Sequence, residues 1–136
     1  MRKFIKCEPR EKGQSMVELA LTITILMVLL AGTIDFGRAF FTWIEMRDAA
    51  QEGAAFGSFC PNTTKIEARV RANLNPIYTY DVDPDLPTSP SIGEAITINI
   101  STNIPIAMPF LSTLIPSGVI PIHATITDSI VGTDCP

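Results

Sequence analysis

Two periodicities divide this chain. Leu19 to Ile34 is a run of 16 residues without a charge, and Gln14 to Ile34 gives 21 residues interrupted only by Glu18. At about 1.5 Å per residue, 21 helical residues span roughly 32 Å, close to the hydrocarbon core of a bilayer. A secretory signal peptide has a shorter apolar region with a small-residue cleavage site behind it. Here the helical pattern continues past the apolar run, which predicts a retained transmembrane segment over residues 14–35 rather than a signal peptide or a buried core helix. In the next stretch Phe36, Phe40, Trp43, Ala50, Ala54 and Gly57 recur at helical steps, with Arg38, Glu45, Asp48 and Glu52 opposite. No proline lies between Gly13 and Phe59. The pattern predicts one helix from about Ser15 to about Ser58, roughly 66 Å long, with residues 36–59 as its amphipathic extension. Trp43 and the phenylalanines near it suit either the outer membrane interface or the seat of a small domain.

Small residues crowd the end of that helix: Ala49, Ala50, Gly53, Ala54, Ala55 and Gly57. The Gly53-x-x-x-Gly57 spacing lets another backbone approach closely, whether in the chain's own sheet or in another subunit. Gly57 to Pro61 then supplies helix breakers. Residues 62–76 predict a second helix capped by Thr63 or Thr64, with Glu67 completing a capping box and Pro76 as the stop. Ile66, Val70 and Leu74 line one face of it. Residues 80–93 read as a proline-rich loop. Ile96, Ile98 and Ile100 alternate with Thr97, Asn99 and Ser101, and Ile120, Ile122, Ala124 and Ile126 follow the same rule. Both stretches predict half-buried strands. Between them residues 107–118 are apolar but broken by Pro109 and Pro116, a loop or short helix over the sheet. The fold class expected is α+β: a long N-terminal helix, then a head over residues 60–136 with a short helix and an antiparallel sheet of few strands, too small to bury much without the long helix behind it.

Charge sets the orientation. Residues 1–13 hold Arg2, Lys3, Lys6, Arg10 and Lys12 against Glu8 and Glu11, a net +3, whereas the 20 residues after Ile34 hold only Arg38 and Arg47 as cations. The positive-inside rule makes residues 1–13 a cytoplasmic leader and puts the head outside. The formal net charge of −4 conceals an acidic remainder, with 5 basic and 12 acidic residues after position 13. That exterior offers no footprint for nucleic acid or anionic lipid. The three cysteines divide by compartment: Cys7 in the leader stays reduced, and Cys60 and Cys135 fall outside. A Cys60–Cys135 disulfide is expected there, with two free thiols or interchain pairing as the alternatives.

Nothing in the chain assembles a catalytic set. It has one histidine, His123, in an alternating stretch, and no nucleophile elbow, phosphate-binding loop or zinc-protease motif. No Cys-x-x-Cys occurs, and neither a metal nor a cofactor is expected. Asp81, Asp83 and Asp85 resemble half of a calcium loop, but Leu86 stands where glycine is required and Ile92 where a bidentate glutamate is needed. A solvated acidic loop is the better reading. Asn62-Thr63-Thr64 and Asn99-Ile100-Ser101 are formal glycosylation sequons, without meaning in a bacterial protein. No enzymatic activity and no small-molecule substrate are indicated.

Glu18 remains to be explained, because a carboxylate at the centre of a spanning helix costs about 2.5–3.5 kcal/mol on insertion scales. A basic leader, Gly13, then Gln14-Ser15-Met16-Val17-Glu18 and an apolar run is similar to a type IV prepilin. Together with "IDFGR" at residues 34–38 and "RDAAQEGAAFG" at 47–57, it resembles the TadE-like proteins, minor pseudopilins of the tight-adherence (Flp) pilus system. Gln51 and Ala55 stand where that family often has arginine, and Leu19 follows Glu18 where the Flp pilin has tyrosine. The likeness covers about residues 13–57. It implies a prepilin peptidase that cuts between Gly13 and Gln14, and a Glu18 carboxylate that meets the new N-terminal amine of a neighbouring subunit. The partners it implies are that peptidase, other pilin-like subunits, the inner-membrane pilus platform and membrane lipid. It places the protein in the bacterial cytoplasmic membrane as a single-pass, non-enzymatic subunit that can enter an extracellular pilus. A major filament subunit and a signal-anchored binding module are the rival readings.

Overall fold

Helix α1 runs unbroken from Lys12 to Phe59, 48 residues, in a computed structural model that describes residues 12–107 and 117–135. The leader residues 1–11 with Cys7, and residues 108–116 of the apolar, proline-broken stretch, lie outside the described residues. After α1 come α2 (Thr63–Ala72), β1 (Tyr80–Asp85), β2 (Ala95–Pro105) and β3 (Val119–Ser129). The strands form one antiparallel sheet in the order β1-β2-β3. The architecture is α+β, as the periodicities predict. The chain divides into two compact units, residues 1–34 and 35–136, so the helical extension belongs to the same unit as the sheet.

In the first unit α1 is exposed over nearly all its apolar run: Leu21, Ile25, Met27 and Leu29 each keep about three-fifths of their surface uncovered. The threonines here are satisfied within the helix. Thr22, Thr24 and Thr33 donate to the carbonyls four residues back at 2.8–2.9 Å, which leaves their methyls facing outward.

In the second unit the core is a sandwich of α1 and α2 against one sheet face. Ile96, Ile98, Ile100, Ile104, Ile122 and Ala124 point inward from the sheet, Ile66 and Val70 from α2, and Leu74 from the turn after it, all at most 8% exposed. Alternation along β2 and β3 therefore reads correctly. Helix α2 begins one residue earlier in its capping than expected. Asn62, not Thr63 or Thr64, is the N-cap, its side chain accepting from the Lys65 amide at 3.0 Å. Glu67 does not close a capping box on Thr64; it holds Arg71 at 2.8 Å one turn on.

One expectation is corrected, and one left open is decided. Residues 80–85 are not part of a loop but strand β1, with Tyr80 and Val82 inward and Asp81 and Asp83 outward. Pro84 is tolerated because β1 is an edge strand, bonded only to β2. The buried side of α1 is also not the one that the aromatic residues mark. Thr42, Met46, Ala49, Ala50 and Ala54 are buried, whereas Phe36 is 70% exposed and Phe40 46%. Both sets obey helical spacing. The small set faces the core because only small side chains let the sheet and α2 come close.

The close approach is tightest at the two glycines. A Cβ on Gly53 would overlap Val70 Cγ2, and one on Gly57 would overlap Ile96 Cδ1 and lie 2.9 Å from Ile66 Cδ1. The Gly53/Gly57 face is therefore occupied by the chain's own α2 and sheet. The C-terminal tail closes the unit. Val131 and Gly132 donate to the Ser58 carbonyl at 2.8 and 3.0 Å, which caps the end of α1, and Cys60 is disulfide-bonded to Cys135 across a Cα–Cα distance of 4.6 Å.

Gly53→Ala is expected to destabilise the head by about 1–2 kcal/mol, since the β-branched Val70 cannot rotate away and overpacking outweighs the helix propensity gained. Gly57→Ala should lose less, because the Ile96 and Ile66 termini can swing. Gly37→Ala, with nothing within 4 Å of the new methyl, should gain about 0.5–1 kcal/mol. Thermal unfolding of the three variants in detergent gives the ranking. Reducing the disulfide, which spans a sequence separation of 75, should remove about 2–4 kcal/mol from the head. Non-reducing peptide mapping and unfolding with and without reductant measure this.

Candidate assembly site

Gly13, Gln14 and Glu18 lie in the first turns of α1, all exposed. Gln14 and Glu18 are four residues apart, so the backbone nitrogen of one and the carboxylate of the other share a helix face. Among the described residues a methyl at Gly13 would meet nothing within 4 Å, so no packing there requires glycine. Among the described residues the Glu18 carboxylate has no partner; only its backbone carbonyl is engaged, by Thr22. This end of α1 thus presents one anionic group on an otherwise apolar, uncovered surface.

The other charges near the apolar run are arranged in the opposite way. Asp35 is only 4% exposed. Its carboxylate accepts from the Ala107 amide at 3.2 Å and faces the Arg38 guanidinium at 3.6 Å, one turn along. Arg38 in turn donates to the Tyr78 hydroxyl at 3.2 Å. The set ties the start of the second unit's helix to the end of β2 and to the loop before β1. Helical periodicity puts Arg38 opposite the apolar residues and does not reveal this set. The available signal was an Asp-x-x-Arg pair immediately after the uncharged run. Further along, the Asn75 amide donates to Glu45, and Glu52 holds Arg69 at 2.8 Å. The polar side of α1 therefore clamps α2 and the loop after it.

Beside Arg38 is an open cleft of about 740 Å³, lined also by Tyr78, Tyr80, Asp81, Ser101 and Asn103. Its one cation is already held by Asp35 and Tyr78. Tyr80 is buried with its hydroxyl unpartnered, and burial, then the Glu45 and Tyr78 charges, push its pKa from 10.0 up to about 12. It is no candidate base. On the outer sheet face Asp81, Ser101 and His123 stand in one row, with the serine between the other two. A nucleophile relay needs the imidazole in the middle, so the row lacks the order for one. Among the described residues no group of three His, Cys, Asp or Glu side chains is placed to hold a metal ion, and Asp81, Asp83 and Asp85 face solvent.

Among the described residues one helix is long and apolar enough to cross a membrane, and it is joined to a disulfide-closed α+β head. The family model described as TadE-like protein matches residues 13–55, the family that the residues themselves resemble. The match takes in Gly13, Glu18, the Asp35–Arg38 pair and Gly53, and ends before the head's second helix and sheet. No curated protein and no solved structure matches the chain.

Asp35→Ala, which strands the Ala107 amide and Arg38, is expected to cost about 1–3 kcal/mol of head stability, and Tyr78→Phe about 1 kcal/mol or less. Tyr80→Phe should be neutral or stabilising, since it removes a buried hydroxyl without a partner. Denaturant unfolding followed by Trp43 fluorescence distinguishes these.

Proposed function

We propose that the protein is a structural, non-enzymatic subunit of a tight-adherence pilus machine, inserted with its N-terminus in the cytoplasm and its head outside. A prepilin peptidase removes the leader between Gly13 and Gln14, and Glu18 then pairs with the new amine of a neighbouring pilin-like subunit. The observation that carries this reading is the unpartnered Glu18 carboxylate on an exposed apolar helix, inside the segment that matches the TadE-like family. A carboxylate at that depth is costly alone. An ammonium from another chain offsets the cost once both are withdrawn from water. The Asp35–Arg38 pair supports the contrast: charges that the chain satisfies internally are turned into the head, and Glu18 is not.

The glycine stripe plays no part in subunit contacts on this reading, because its own head covers it. Contacts between subunits fall to residues 14–34, which the described residues leave largely exposed. The bilayer surrounds that surface before assembly and neighbouring helices replace it afterwards.

Intact mass of the protein from cells with and without the peptidase should differ by residues 1–13, and Gly13→Leu should abolish the difference. Met1 at the N-terminus of assembled material would refute processing. Glu18→Ala should insert in membranes at least as well as wild type and still be cleaved, while its co-purification with pilin-like partners falls sharply. Glu18→Asp should lie between. Normal assembly of Glu18→Ala would favour the signal-anchored binding module instead.

A further inference from the structure

Four aromatic residues of α1 that do not enter the core form a ridge of their own. Phe36 and Phe40 stack at 6.1 Å between ring centroids, Phe40 and Trp43 at 6.3 Å, and Phe41 meets Phe40 edge-on at 6.2 Å. The Arg47 guanidinium lies over the Trp43 ring, 5.6 Å from its centre. Phe41 is 71% exposed, and even Trp43, the most covered of the four, keeps 37% of its surface uncovered. Rings this size are the costliest side chains to leave in water, at about 25 cal/mol per Å² of apolar surface.

The chain supplies a reason for them to be elsewhere. The span Gln14–Ile34 has 21 residues, about the length that crosses a hydrocarbon core, so the positions just after Ile34 fall at its headgroup boundary. The next positions outward are divided by direction. Asp35 turns into the head, where Arg38 and the Ala107 amide satisfy it, and the uncovered positions are phenylalanines. The ridge then ends in an indole and a guanidinium, the two groups that suit a boundary with an apolar and a wet side.

We infer that Phe36, Phe40, Phe41 and Trp43 form a collar seated in the headgroup layer of the bilayer, with Arg47 against lipid phosphate. The lipid-facing surface of α1 then continues about two turns past Ile34, and the Asp35–Arg38 pair keeps its charges satisfied at that depth. This rests on the reading that α1 spans the membrane. The collar adds that the head is held against the lipid surface rather than free above it.

Trp43 is the protein's single tryptophan, so it reports its own depth. The full chain is reconstituted in phosphatidylcholine vesicles carrying bromine either near the headgroup end or near the terminal end of the acyl chains. The expected result is blue-shifted emission, with most of it lost to bromine near the headgroups and little lost to iodide in the water. The triple variant Phe36→Ser, Phe40→Ser, Phe41→Ser should shift emission to the red and raise iodide quenching, with far-ultraviolet dichroism unchanged. Quenching by iodide and by neither brominated lipid would overturn the collar, as would quenching by the deep bromines alone. Protection that appears only as the protein-to-lipid ratio rises would mean that a second copy covers the ridge, and would also overturn it. Flotation separates the two levels. Protein that floats with vesicles but keeps Trp43 in water loses only the collar, and protein that does not float loses the spanning reading as well.

Discussion

The head rests on the contact between a stripe of small residues on α1 and the branched side chains that press onto it. Ala49, Ala50, Gly53, Ala54 and Gly57 offer almost no side-chain height, so Val70, Ile66 and Ile96 reach the helix backbone itself. A three-stranded sheet with a ten-residue helix has little apolar surface to bury without the long helix behind it. Set against this stripe, the sheet closes its inner face completely at Ile96 and Ile98, and Ile130, just after β3, is buried with them. The other ties secure the same contact from its edges. Glu52 holds Arg69, Glu45 accepts from the Asn75 amide, and the tail binds Ser58 before the disulfide closes on Cys60.

This use of the stripe changes what the extension of α1 can do for assembly. In a chain without a head, a Gly-x-x-x-Gly face is free for another helix. Here it is spent on the chain's own fold, and what α1 leaves uncovered is the apolar run with Glu18 and the aromatic ridge above it. Charges follow the same division. Asp35 and Arg38 serve the fold, and among the described residues the Glu18 carboxylate has no partner.

Much of the candidate site was legible because it is encoded locally. Gly13, Gln14 and Glu18 stand in a short continuous segment, and the meaning of a carboxylate in an apolar run does not depend on distant residues. The Asp35 set was not legible in the same way. Its hydrogen-bond donor is 72 residues away at Ala107, and nothing near Asp35 in the chain indicates that the end of β2 will arrive there.

The sequence by itself determined the length of α1, the position of its apolar run, and the alternation of β2 and β3. Each follows from periodicity, proline placement or charge balance within a window of a few turns. Tertiary structure alone decided which of two equally periodic faces of α1 is buried, since spacing cannot weigh an alanine stripe against an aromatic one until a sheet must fit. It also decided that Tyr80–Asp85 is a strand. Six residues with a proline carry too weak a local preference to be extended alone, and only the backbone of β2, paired from Tyr80–Thr102 to Asp85–Thr97, holds them so.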